Sequence, residues 1–242
     1  MSDPTRTSQS TRHATGPAGA AARTPAAAVA PALRRPLAGA FRLLLAAVAL
    51  TGLLLEALAT PAPARLAASF TAQAALATAL VSVCTAHRAW TGRRPVTPRL
   101  TGALLTYVSL TALLHHLPTG APAPFALPEA AAPTTAQAIS HLLLFTLTPL
   151  ATAADWLLLT SPRGFRLPFA WQWPAYPLLY LGFTLPLPAP AGTAPSRALA
   201  PTLTIAVASC LLPLAALAID QVRPTPRLRK NRISPTGISP LK

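Results

Sequence analysis

The 242-residue chain is 52% hydrophobic and 10% charged, whereas a soluble domain carries about 25% charged residues, so a water-coated globule is excluded. Twenty Lys and Arg against five acidic residues give a net charge of +15. The basic residues sit between long apolar runs and in the tails, which speaks against nucleic acid as a partner and for a membrane.

Residues 1–36 are rich in Ala, Pro, Thr, Ser and Arg without hydrophobic periodicity, and are expected to be a disordered tail. Six apolar runs follow, at 37–59, 66–86, 100–117, 138–160, 170–187 and 198–219. About 20 residues of helix cross the hydrocarbon core, and helix is the state expected because lipid cannot satisfy open backbone groups. The fold class is therefore an all-α membrane protein, a six-helix transmembrane bundle over 37–219, followed by a basic tail over 220–242. Ala57-Leu58-Ala59 resembles a signal-peptidase site, but the first run exceeds an h-region of about 7–15 residues and is expected to be retained. Pro149, Pro174, Pro177 and Pro213 fall inside runs and are expected to kink them. Cys84 and Cys210 also lie in runs, without CxxC or zinc spacing, and are expected to be buried apolar side chains. The preference for Arg, with abundant Ala and Pro, fits a GC-rich bacterial genome.

The loops give an independent test. Segments 1–36, 87–99, 161–169 and 220–242 hold seventeen of the twenty basic residues, and the opposite loops hold Arg65 and Arg197. By the positive-inside rule both termini are cytoplasmic, and one span more or fewer would scramble the pattern. Trp90, Trp156, Trp171 and Trp173 fall near the same boundaries, where amphipathic rings prefer to sit. The tail cluster Arg223, Arg227, Arg229, Lys230 and Arg232 reads as a topology anchor that can also meet anionic lipid.

With charge so scarce, each intramembrane polar residue requires an account. The topology puts Glu56, Thr71, Gln73, His115, His116 and His141 in the outer half of the bilayer. Side chains lean toward a helix N-terminus, so His115 and His116 point into the membrane and His141 points out. Three chemistries stay open. A hydroxyl and an imidazole make a nucleophile–base pair, two opposed histidines bind haem or metal, and a polar pocket binds a lipid or quinone. The diverging directions of His116 and His141 disfavour haem or metal, so no cofactor and no metal is expected. Asp155 is expected to pair with Arg163 or Arg166 across the short loop.

Several segments are similar to one family. Phe70-Thr71-Ala72-Gln73, Leu110-Thr111-Ala112-Leu113-Leu114-His115-His116-Leu117, Leu143-Leu144-Phe145-Thr146-Leu147-Thr148-Pro149 with Asp155-Trp156-Leu157, Ser161-Pro162-Arg163-Gly164 and Tyr176-Pro177-Leu178-Leu179-Tyr180-Leu181 resemble the Pr-six-Pr family of bacterial integral membrane proteins. The likeness spans about residues 37–220. That family is distantly similar to the androgen-induced and androgen-dependent six-pass hydrolases of fatty-acid esters, which use a threonine and a histidine. The resemblance implies Thr71 as nucleophile with Gln73 beside it. At the family's histidine position stands Phe145, and Ala74 and Ala75 occupy the stretch where an Asn is expected.

Two functions follow as expectations. One is an intramembrane threonine-type lipid-ester hydrolase, with Thr71, His116 and His141 as catalytic candidates and Gln73, His115 and Phe145 lining the site. The other is a non-catalytic lipid-binding or membrane-organising protein. Membrane lipids are the expected partners in both.

Overall fold

The structure, a computed structural model, describes residues 35–60, 63–117, 125, 127, 134–184 and 195–224, with the backbone alone for 195–200. The expectations for the N-terminal tail up to residue 34 and for the basic tail beyond residue 224 lie outside these. Among the described residues every regular element is helical.

Pro at the first helical position starts α1, Pro36–Ala59, where its missing N–H would have had no partner. A short helix α2, Pro63–Ala68, precedes α3, Phe70–Thr91. Ser69 separates them, its side chain accepting from the Ala72 N–H as an N-cap. Gly92, at φ 67°, ends α3 in a left-handed turn that glycine adopts without strain. Pro98 opens α4, Pro98–His116. Thr134 and Gln137 form a reciprocal capping box for α5, Thr135–Leu159. Then come α6, Leu167–Ala170, α7, Ala175–Thr184, and α8, Pro195–Val222.

Four of these helices, α1, α3, α5 and the Pro201–Val222 stretch of α8, are long and apolar enough to cross a membrane. The third expected run forms the 19-residue α4. The fifth does not form one continuous helix. It is divided into α6, a turn over 171–174 and the ten-residue α7. Pro174 sits in that turn, and Pro177 falls in the first turn of α7, where an amide proton has no helical acceptor anyway. In α5 the expected kink at Pro149 takes the form of a π-helical turn over Leu142–Leu147, with Thr148 N–H reaching back to Leu143. A wider turn accommodates a proline that cannot donate.

Small residues bring α1, α3 and α5 together. Ala46, Ala49 and Ala79 form one core cluster, and Gly52 lies so close to α5 that a Cβ there would come within 2.8 Å of Leu144 Cγ. The Ser140 hydroxyl donates to the Gly52 carbonyl at 3.0 Å, and the Trp90 indole to the Pro36 carbonyl at 3.2 Å. A second core joins Leu105, Trp156, Phe165, Ala170, Trp173 and Ala216. Trp156 and Trp173 are thus buried in the bundle, while Trp90 and Trp171 are exposed. Cys84 and Cys210 are free and exposed, not buried as expected.

Near this end the carboxylates find partners that the sequence did not indicate. Asp155 pairs with Arg42 of α1 at 2.7 Å, not with Arg163 or Arg166. Arg42 sits about two turns into α1, at the depth where Asp155 leaves α5, whereas Arg163 and Arg166 are exposed on the loop beyond. Asp220 accepts from the Phe165 N–H at 2.9 Å and from Arg223 at 3.0 Å. Arg223 also donates to the Leu157 and Thr160 carbonyls at 2.7 and 2.6 Å, closing the C-terminal end of α5.

Gly102 faces the ring of Trp173, where a Cβ would fall 2.1 Å from Cζ2, while a Cβ on Gly182 would meet nothing within 4 Å. The indole is buried and tied to the Arg99 carbonyl at 2.8 Å, so it cannot yield cheaply. Gly102→Ala should therefore destabilise the protein by about 1–3 kcal/mol, and Gly182→Ala should change it by less than about 1 kcal/mol. Thermal unfolding in detergent checks both.

Candidate functional site

The end of the bundle opposite the arginines gathers the first turn of α3, the C-terminal end of α4, the start of α5 and the end of α1. Phe70 is completely buried there, with Tyr107, Phe125, Tyr176 and Tyr180 around its ring at centroid distances of 5.0–6.0 Å. Next to it, Thr71 is 2% exposed, and its hydroxyl donates to the Phe125 carbonyl at 2.9 Å.

Gln73 points to the other side of α3 and closes the break at Ser69. The carbonyls at the end of α2 have no helical donors. The Gln73 amide donates to Ala67 at 3.2 Å and Ala68 at 3.4 Å, and the Tyr180 hydroxyl donates to Ala68 at 2.6 Å. The Tyr176 hydroxyl in turn donates to the Gln73 side-chain oxygen. Gln73 thus ties α2, α3 and α7 together, a role consistent with two residues about 200° apart on one helix facing different neighbours.

The histidines meet each other and Phe145, not Thr71. His115 stacks flat on the Phe145 ring at 3.9 Å and 4°, and lies edge-on to His116 at 5.1 Å and to His141 at 5.4 Å. His116 Nε2 lies 3.3 Å from the Thr146 hydroxyl. Both His115 and His116 are exposed. Phe145 is buried against Ala72, Ala75, Leu66 and Leu144, where it fills the space on the α5 side of the first turn of α3.

Glu56 is wholly buried, yet only one of its oxygens has a hydrogen bond, from the Thr60 hydroxyl at 3.2 Å. The other oxygen faces His141 Nε2 at 3.7 Å, and both of these atoms lack a hydrogen-bond partner. The expectations placed Glu56 and His141 at this end but did not pair them. Their positions at the end of α1 and the start of α5 were the available signal. Nothing in the sequence marked Phe125 as the acceptor for Thr71, because the acceptor is a backbone carbonyl 54 residues away.

These contacts limit the chemistry. The expected hydroxyl–imidazole pair is replaced by a hydroxyl–carbonyl bond, and a carbonyl cannot accept the proton a nucleophilic threonine must lose. No group of three or more His, Cys, Asp or Glu side chains among the described residues could hold a metal ion. Beside α4, an apolar groove of about 490 Å³ is lined by Leu113 and by Leu203, Val207, Leu211 and Ala215 of α8. No family model, no curated protein and no solved structure matches the chain.

The Thr71 bond has a structural signature that can be measured. Thr71→Val preserves the volume but leaves the Phe125 carbonyl without its donor, and should cost about 1–3 kcal/mol. Thr71→Ser keeps the donor and should cost less than about 1 kcal/mol. Unfolding midpoints of the two variants against the parent check this.

Proposed function

We propose that this chain is a six-pass membrane protein of the Pr-six-Pr type that holds lipid without turning it over. The observation that carries this reading is the Thr71 hydroxyl, which is bonded to the Phe125 carbonyl while Phe145 occupies the position where the resemblance calls for a histidine. His115 and His116 are exposed and His141 is turned to Glu56, so no imidazole stands ready to take the threonine proton.

Six crossings are supported by helix lengths. At 1.5 Å per residue the 19 residues of α4 reach about 28 Å, close to the hydrocarbon thickness of roughly 30 Å. The fifth crossing is the broken α6–α7 segment, in whose turn Trp173 is buried against Gly102 of α4 while Trp171 and Gln172 are exposed. The turn lies level with the first turn of α4, where Trp173 bonds the Arg99 carbonyl, and an irregular backbone is tolerated toward the headgroups. The orientation with both termini cytoplasmic is supported by Arg42, Arg88, Arg93, Arg94, Arg99 and Arg223 falling toward one end of the bundle.

The lipid's place in this reading is the apolar groove between α4 and α8. Its volume falls within the range of about 300–1,000 Å³ typical of small-molecule sites. Leu113, on its wall, lies one turn below the histidines at the end of α4, so an acyl chain in the groove would keep its headgroup near the polar end.

A hydrolase would require Thr71 to release Phe125, pass its proton to a histidine and attack the ester's acyl carbon, expelling the alcohol, which takes that proton; water would then cleave the acyl-threonine and release the acid. Labelling with a lipid fluorophosphonate separates the two readings. The parent should label no more than Thr71→Ala, and strong labelling that Thr71→Ala abolishes would overturn the non-catalytic reading. Val207→Trp, which fills the groove, should lower the amount of co-purified lipid. Reporter fusions after residues 95, 165 and 225 should read cytoplasmic. An external signal at any of them would contradict the orientation.

A further inference from the structure

At the opposite end from the histidines, five arginines lie exposed on two loops and their flanks. Arg93 and Arg94 follow the turn at Gly92, Arg99 lies in the first turn of α4, and Arg163 and Arg166 belong to the loop before α6. These segments are far apart in the chain but adjacent in space. A Cβ on Gly164 would come within 3.2 Å of Pro98 Cγ, so the second loop rests directly on the first residue of α4. The Trp173 indole holds the Arg99 carbonyl at 2.8 Å from the same side, and Arg88 holds the Arg94 carbonyl at 3.4 Å.

Among the described residues no carboxylate offsets this charge. Of the five acidic residues, Asp3 and Glu129 lie outside the described residues, and Glu56 is buried at the far end. Asp155 is taken by Arg42, and Asp220 by Arg223 and the Phe165 N–H. Among the described residues none of the five arginines forms a salt bridge. Arg163 also holds a left-handed backbone, φ 59°, which is unfavourable for a residue with a Cβ, and it does so next to a glycine that would adopt it freely. Trp90 and Trp171 are 40% and 69% exposed at the same end, as indoles at headgroup level are.

We infer that these two loops form a binding surface for the phosphate groups of anionic phospholipids in the adjoining leaflet. Guanidinium groups fit phosphate oxygens two at a time, and carry full charge at any physiological pH. A zwitterionic headgroup brings an ammonium that the same arginines repel, so the surface selects net negative lipids. The surface is separate from the groove and the histidine end, and its ligand is recognised through the headgroup alone.

The test uses the full chain purified in uncharged detergent, with bound lipid counted by native mass spectrometry. Short-chain phosphatidylglycerol, short-chain phosphatidylcholine and inorganic phosphate are each titrated. Phosphatidylglycerol should bind more tightly than phosphatidylcholine, and more weakly as salt rises. Each arginine near the surface should contribute roughly fivefold, so the pairs Arg93→Gln/Arg94→Gln and Arg163→Gln/Arg166→Gln should each weaken phosphatidylglycerol binding by about 25-fold. All four side chains are exposed, so the unfolding midpoint should not move, and two separate pairs guard against one that misfolds. Equal binding of the two lipids, or parental affinity in both pairs, would overturn the inference. Displacement of phosphatidylglycerol by equimolar inorganic phosphate would overturn a lipid as the ligand.

Discussion

Hydrocarbon provides no hydrogen-bond partner, so each polar group inside the bundle must find one within the chain, and the Arg42–Asp155 pair shows what this imposes. The two side chains are 14% and 16% exposed and 2.7 Å apart. Either charge alone at that depth would be costly. The pair therefore fixes the rotation and depth of α1 against α5. Ser140 bonding the Gly52 carbonyl and Gly52 packing against Leu144 match that register from further along the same interface. Asp220 and Arg223 do the same between α8, the loop at Phe165 and the end of α5.

The opposite end follows the same rule with a different result. Thr71 and Gln73 are spent on backbone carbonyls exposed by the break at Ser69 and by the segment containing Phe125. In both cases the side chain ties its helix to a neighbouring segment. Glu56 and His141 depart from the rule, their facing atoms 3.7 Å apart with no hydrogen bond, as do Thr148 Oγ1, Trp156 Nε1 and Ser209 Oγ elsewhere in the bundle. The stack of His115 on Phe145 continues from that pair toward the surface. The aromatic ring at position 145 thus gives His115 an apolar plate to lie on and meets His141 edge-on.

Helix positions were legible in the sequence because apolar length is a one-dimensional property. Runs 37–59 and 198–219 map onto α1 and α8 within a few residues, and Pro98 and Gly92 mark ends as their chemistry requires. The interruptions were visible as prolines, but their form was not, since a π-turn at Pro149 and an open turn at Pro174 depend on what packs beside them. Pairings were the least legible. Asp155 has Arg163 and Arg166 within a dozen residues, yet its partner is 113 residues away, because the bundle places α1 beside α5. Thr71 likewise bonds a backbone atom, which carries no side-chain signal. Glu56, Thr71, Gln73, His115, His116 and His141 lie on the ends of helices that meet at one end of the bundle. Which of them touch was decided by rotation about each helix axis, which sequence spacing leaves free.

A double-mutant cycle on Arg42→Gln and Asp155→Asn, read as unfolding free energy in a bilayer mimic, tests the pairing constraint most directly. Each single change should destabilise the protein by about 2 kcal/mol or more, because it strands the other charge. The double variant should be no worse than the poorer single, giving a coupling of about 1.5–3 kcal/mol. Additive effects within about 0.5 kcal/mol would show that Arg42 and Asp155 are solvated independently, and would contradict the account.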